Sequence, residues 1–252
     1  MSSKSLVYGV EGQVAWLTIN RPEARNTIDA DLAQELVEVC LRINQNDKIA
    51  LVIITGVGDE VFCTGVLSLS ADDQISEIKH PAVTVADLRC PTIAAINGDA
   101  LGQGLELALA CDIRVAQQGV RFGFPYITEG LMPWDGGTQR LPRLVGRGKA
   151  AEMLFTGRTI NADEAYQIGL VSEVVSSNEL IPKVKEMAQL MSSRSSLALR
   201  YAKEAIIKGM DLTLEQGLHL EADLYFLLQT TRDRTEGIKA FMEKRTPEFE
   251  GK

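Results

Sequence analysis

Residues Cys90–Ala116 read CPTIAAINGDALGQGLELALACDIRVA. Pro91–Ile96 is an apolar run bounded by Pro and by Asn97-Gly98, which marks a buried strand followed by a turn. Gly102-Gln103-Gly104 lets the backbone come close to a neighbouring group. Leu105–Ala110 is a strong helix-forming run. Glu106 falls in the first turn of that helix, inside an otherwise apolar segment. A carboxylate beside free helix N-terminal amides, in apolar surroundings, is a candidate acid/base next to a candidate oxyanion hole.

The flanking sequence extends this pattern. Gly12–Asn20 alternates enough for a strand, and Ala50–Thr55 is a continuous β-branched run of the kind buried on both faces. Ile113–Ala116 is a shorter strand. Asp29–Ile43 carries Leu32, Leu36, Val39 and Ile43 at helical spacing, with Asp29 as its N-cap. Short helices are expected over 149–155 and 162–167. Beyond Pro182 the chain turns helical, over 182–193, 196–209, 213–231 and 233–244. Strands alternating with helices imply an α/β fold with parallel pairing. The shift in composition divides the chain into a core, 1–195, and a helical region, 196–252. No linker rich in Pro, Gly or Ser separates them, so the helices are expected to pack on the core.

The 252 residues form an ordinary globular composition, 45% hydrophobic and 24% charged, with a net charge of −8. That acidic balance argues against a nucleic-acid partner bound through a broad basic surface. Cys40, Cys63, Cys90 and Cys111 show no paired spacing, which points to a reducing compartment without disulfides. His80 and His219 lie outside any cluster with metal-ligand spacing, so no metal site is expected. The N-terminus lacks a signal core, and no apolar run reaches membrane-spanning length. The expected location is cytoplasmic, provided no leader has been removed, with no membrane association.

Several stretches together resemble the enoyl-CoA hydratase/isomerase (crotonase) superfamily: INRPEARNTI at 19–28, VFCTGVLSL at 61–69, the 90–116 segment, FGFPYITEGLMPWDGGTQRLPRLVG at 122–146 and EGIKAFMEKRTPEF at 236–249. The resemblance spans nearly the whole chain. It implies a crotonase-like spiral of ββα turns followed by a C-terminal helical trimerisation region, with trimers that often pair into hexamers. It also implies an acyl-CoA thioester substrate whose enolate is held by two backbone N–H groups, with coenzyme A entering as part of the substrate and no separate cofactor.

Carried onto this chain, the resemblance makes Glu106 the first catalytic glutamate and assigns the oxyanion donors to Val66, after Gly65, and to Gln103. The family commonly has glycine where Gln103 stands. The hydratases' second glutamate is replaced by Tyr126, a phenol that is neutral near pH 7 and donates its proton rather than accepting one. Tyr126 either closes the pocket as an aromatic or serves as a hydrogen-bonding or acidic group. Asp135 lies one residue from the place where some family isomerases carry an acid, and is either a second proton-transfer group or a turn aspartate. Trp134 is expected to wall the acyl pocket. Leu67 stands where the family often has Asp. Arg25 is implied near the CoA phosphates, and Tyr225 and Lys244 near the adenine and 3′-phosphate. Their alternatives are an interface aromatic and a solvated helix-end lysine.

These residues favour hydration or dehydration of an α,β-unsaturated acyl-CoA, with a cyclic or dienoyl acyl group among the options. The alternatives are double-bond isomerisation through Glu106 with Asp135 or Tyr126, decarboxylation or hydrolysis of an acyl-CoA, and a non-catalytic acyl-CoA- or RNA-binding member. No nucleophile elbow supports a Ser-His-Asp hydrolase.

Overall fold

The computed structural model describes residues 5–65 and 79–252. Val66 and Leu67 lie outside the described residues. The core repeats one unit three times. Strands β3 (Leu51–Gly56) and β4 (Val61–Cys63) lead to helix α2 (Pro81–Ala86); β5 (Thr92–Ile96) and β6 (Asp99–Leu101) lead to α3 (Gln103–Ala110); β7 (Ile113–Gln117) and β8 (Arg121–Gly123) lead to α4 (Gly137–Val145). Each turn places its first strand in one sheet and its second in another, so successive turns stack as a spiral of ββα units.

The larger sheet begins with β1 (Leu6–Glu11) and β2 (Val14–Ile19), continues through β3, β5 and β7, and ends on β10 (Glu173–Val175). Only β1 and β2 pair antiparallel; the other pairs are parallel. Ile53 sits beside Ile93, and Ile93 beside Ile113. One sheet face, with Ile53, Ile93 and Val115, meets Leu180, Val184 and Ala188 of α7 (Leu180–Ser192). The opposite face, with Val52, Ile54, Ala94 and Ile96, packs on a core that includes Leu32 and Leu36 of α1 (Ala30–Asn44) and Leu105 and Leu107 of α3. Both faces are covered, which is why β3 and β5 read as unbroken apolar runs. Asp29 caps α1 as expected, accepting the Leu32 amide at 3.0 Å.

The smaller sheet runs β4, β6, β8 and β9 (Thr159–Asn161). Helices α5 (Arg147–Thr156) and α6 (Ala162–Gln167) flank β9. The C-terminal helices are α8 (Ser196–Gly209), α9 (Leu214–Gln229) and α10 (Arg232–Glu243). Buried Lys203 of α8 joins them to the spiral, reaching Asp112 at 2.9 Å and the Cys90 carbonyl at 3.0 Å. Ser195 donates to Asp233 at 2.6 Å, closing the turn before α8 onto α10. Their outer surfaces remain apolar, with Leu214 80%, Phe226 66% and Phe241 85% exposed. Among the described residues, no helix is long and apolar enough to cross a membrane.

The start of α3 is pressed against β4. A Cβ on Gly104 would lie 1.8 Å from the Cys63 carbonyl oxygen, so only a hydrogen fits there. Gly104→Ala is therefore expected to destabilise the protein by roughly 3 kcal/mol, at the upper end of overpacking costs. Urea unfolding measures this directly, and an unchanged midpoint would show that β4 and α3 can separate without penalty.

Candidate active site

Glu106 is fully buried, with 0% of its surface exposed. It projects from α3 against the loop that precedes α4. The Asp135 and Gly137 amides donate to Oε1 at 2.7 and 3.0 Å. The Tyr126 hydroxyl donates to Oε2 at 2.9 Å. Tyr126 is itself buried and stacked on Phe124, with ring centroids 6.0 Å apart. Burial and the nearby Glu106 carboxylate raise the phenol's pKa far above its ordinary value, so Tyr126 keeps its proton and Glu106 is the acceptor.

Two opposed effects act on Glu106. Desolvation raises its pKa, while the three donors lower it. Desolvation prevails, and the carboxyl lies above the ordinary carboxylate range. A carboxylate offers about four lone-pair sites. Three are used, which leaves one for a reactant. The group is thus fixed in orientation, basic for a carboxylate and able to exchange one proton.

Asp135 contributes differently from a proton shuttle. Its backbone N–H holds Glu106, while its carboxylate accepts the Ala82 and Val83 amides at 2.7 and 3.2 Å. These are orphan donors at the start of α2, where His80 provides no side-chain cap. His80 Nδ1 lies 3.6 Å from the same carboxylate. The Asp135 carboxylate therefore caps the start of α2. Trp134 is half-buried and rests on the His80 ring at 4.6 Å between centroids.

Gln103 stands at the first position of α3, which begins two residues earlier than the helix read from sequence, and its amide N–H is not free. It donates to the Gly65 carbonyl at 3.0 Å. Gly65 has φ +111, a conformation that favours glycine. Gly102, at φ +59, brings the backbone so close that a Cβ there would lie 2.4 Å from the Gly65 oxygen. Val66 and Leu67, the other residues expected on this side, lie outside the described residues.

The residues implied for coenzyme A are all exposed. Arg25 is exposed in the left-handed region, φ 51, and its carbonyl accepts the Thr64 hydroxyl at 3.1 Å. Tyr225 is exposed on α9 with its ring against Phe226, and Lys244 is exposed as the left-handed residue ending α10. Neither side chain has a hydrogen bond or ion pair to the core among the described residues. The sequence reading missed Gly137 and the backbone role of residue 135. The available signal was the Gly136-Gly137 pair just before a helix, where unpaired amides point outward. Burial raises the Cys63 and Cys111 thiols to about 12, so neither is a thiolate nucleophile. Among the described residues, no group of three or more His, Cys, Asp or Glu side chains could hold a metal ion.

Comparison with known proteins places this arrangement. The profile of the enoyl-CoA hydratase/isomerase family matches residues 9–252. The chain is 41% identical to the 2,3-dehydroadipyl-CoA hydratase of Escherichia coli, over 98% of this chain and 99% of that one. It is 39% identical to the crotonyl-CoA hydratase of Syntrophomonas wolfei, over 99% of both. The crystal structure of an enoyl-CoA hydratase from Bacillus anthracis superposes with a TM-score of 0.92 at 38% identity, covering 99% of this chain and 100% of that one. The chain belongs to the enoyl-CoA hydratase/isomerase family.

Asp135→Asn keeps the backbone donor to Glu106 and weakens the cap on α2. It should lower stability by about 1 kcal/mol, a typical capping loss, with turnover on an enoyl-CoA largely retained. Thermal unfolding alongside steady-state kinetics checks this. A loss of about tenfold in turnover at unchanged stability would return Asp135 to a proton-transfer role.

Proposed function

We propose that this protein adds water across the double bond of an α,β-unsaturated acyl-CoA, and removes it in reverse. The observation that carries this reading is Glu106, desolvated, held by three donors and left with one acceptor site. In the forward direction that site accepts a proton of the attacking water as its oxygen bonds to Cβ. The π pair moves onto the thioester oxygen, and Glu106 then returns the proton to Cα on the same face. One carboxyl thus performs both transfers, which suits a site where Tyr126 stays protonated and the Asp135 carboxylate is committed to α2. The capped Asp135 weighs against an isomerase that shuttles protons through it.

Charge on the thioester oxygen needs fixed donors, each contributing about 3 kcal/mol in comparable sites. The backbone N–H groups of Gln103 and Val66 are the candidates. The Gln103 amide meets the Gly65 carbonyl in the free chain, so substrate takes that carbonyl's place. Gly65 has no Cβ to resist the rotation this requires. Arg25, Tyr225 and Lys244 are the candidate contacts for coenzyme A, and Trp134 and Leu67 for the acyl group. The exposed apolar side chains of α9 and α10 favour assembly as a homotrimer or a dimer of trimers, since patches of that kind mark association surfaces. The assembly would also cover Tyr225 and bring it near a neighbouring subunit.

Glu106→Gln keeps the shape and removes the carboxylate that accepts and returns the proton. Turnover should fall to background while affinity for a CoA ester is preserved, and the wild-type rate should decline as pH drops through the elevated Glu106 pKa. Steady-state kinetics and equilibrium binding test both, and a fully active Glu106→Gln enzyme would assign the chemistry to another group.

A further inference from the structure

Gln103 is only 2% exposed, yet neither its Oε1 nor its Nε2 has a hydrogen-bond partner among the described residues. Leaving such a group unpaired in the interior costs about 1–3 kcal/mol. The other polar side chains around it are satisfied. Tyr126 is bonded to Glu106, Glu106 to three donors, and Asp135 to two amides. The unpaired carboxamide belongs to α3, three residues before Glu106.

Helix geometry defines what that carboxamide can meet. Residues 103 and 106 are three apart on α3, so their side chains share a face with Cβ atoms about 5–6 Å apart. Side chains leaving one helix face at that spacing can turn their ends toward a shared small ligand. A buried water needs at least two polar partners. Glu106 has one acceptor site left, and the Tyr126 hydroxyl donates to Glu106.

Resting on the hydration reading, we propose that the Gln103 carboxamide is the second ligand of the reacting water. Its Oε1 accepts one water proton while Glu106 accepts the other, which leaves a water lone pair facing Cβ. As the O–Cβ bond forms, the O–H bond to Glu106 breaks and that proton passes on to Cα. Gln103 exchanges no proton. It stays hydrogen-bonded to the retained O–H, which becomes the hydroxyl of the product. Water orientation thus comes from a neutral amide one helical turn before the base, and a second carboxylate is not required.

The test is Gln103→Met, which matches the side chain in length and lacks its hydrogen bonds, compared with Gln103→Gly, which leaves room for an additional water. For hydration of an unsubstituted short enoyl-CoA, kcat of the Met variant should fall by about tenfold or more, the scale of a misplaced reactant, with KM and thermal stability unchanged. The Gly variant should retain more activity than the Met variant, because water can occupy the vacated space. A Met variant that hydrates at the wild-type rate overturns the proposal. So does a loss confined to acyl groups bearing a polar substituent, which would make Gln103 a specificity contact, or a parallel fall in stability and kcat in both variants, which would make it structural. Wild-type protein that hydrates no enoyl-CoA would remove the hydration reading together with this proposal, whereas an active wild type beside an equally active Met variant removes this proposal alone.

Discussion

A carboxylate shut away from water must find its hydrogen bonds inside the protein, and Glu106 finds three from two separate pieces of chain. This requirement organises its surroundings. The loop before α4 must present the amides of residues 135 and 137 inward. The Asp135 side chain is turned toward α2, where it accepts the buried Ala82 amide and the partly exposed Val83 amide. Tyr126 must lie beneath α3 with its hydroxyl directed at Oε2. Three elements distant in sequence are tied together through one side chain and its immediate neighbours.

The base can occupy this position because α3 begins against β4. Gly104 rests on the Cys63 carbonyl, and Gly102 turns the chain beside Gly65. Glycines at these points allow backbones to approach as side chains would not, and they bring the first amides of α3 into the site. The Gln103 amide donates to the Gly65 carbonyl at this same contact.

Much of this was legible in the sequence, and the omissions have physical causes. The central strands were clear because β3 and β5 are buried on both faces and written in uninterrupted apolar residues. The long C-terminal helices and the Asp29 cap followed from periodicity and side-chain chemistry. β1 was missed because it is an edge strand with nearly all its residues exposed, so no alternation marks it. β4, β6, β8, β9 and β10 have three residues each, too few for a period to appear. α2 is short, and α4 carries Pro142 inside it. Glu106 stood out because a carboxylate in apolar company is informative, and Tyr126 because it stands where the resemblance implies a glutamate. The role of Asp135 could not be read locally, since its partners are amides more than fifty residues away.

The central claim is that Glu106 delivers water to a double bond rather than moving the bond or cleaving the ester. The most direct measurement is incubation of the wild-type protein with a panel of short, aromatic and cyclic enoyl-CoA esters in heavy-oxygen water, followed by mass spectrometry of the intact thioesters. The account predicts that one heavy oxygen appears in the acyl part of an uncleaved CoA ester. Products with no oxygen gain, whether isomerised, decarboxylated or released as free coenzyme A, would contradict it.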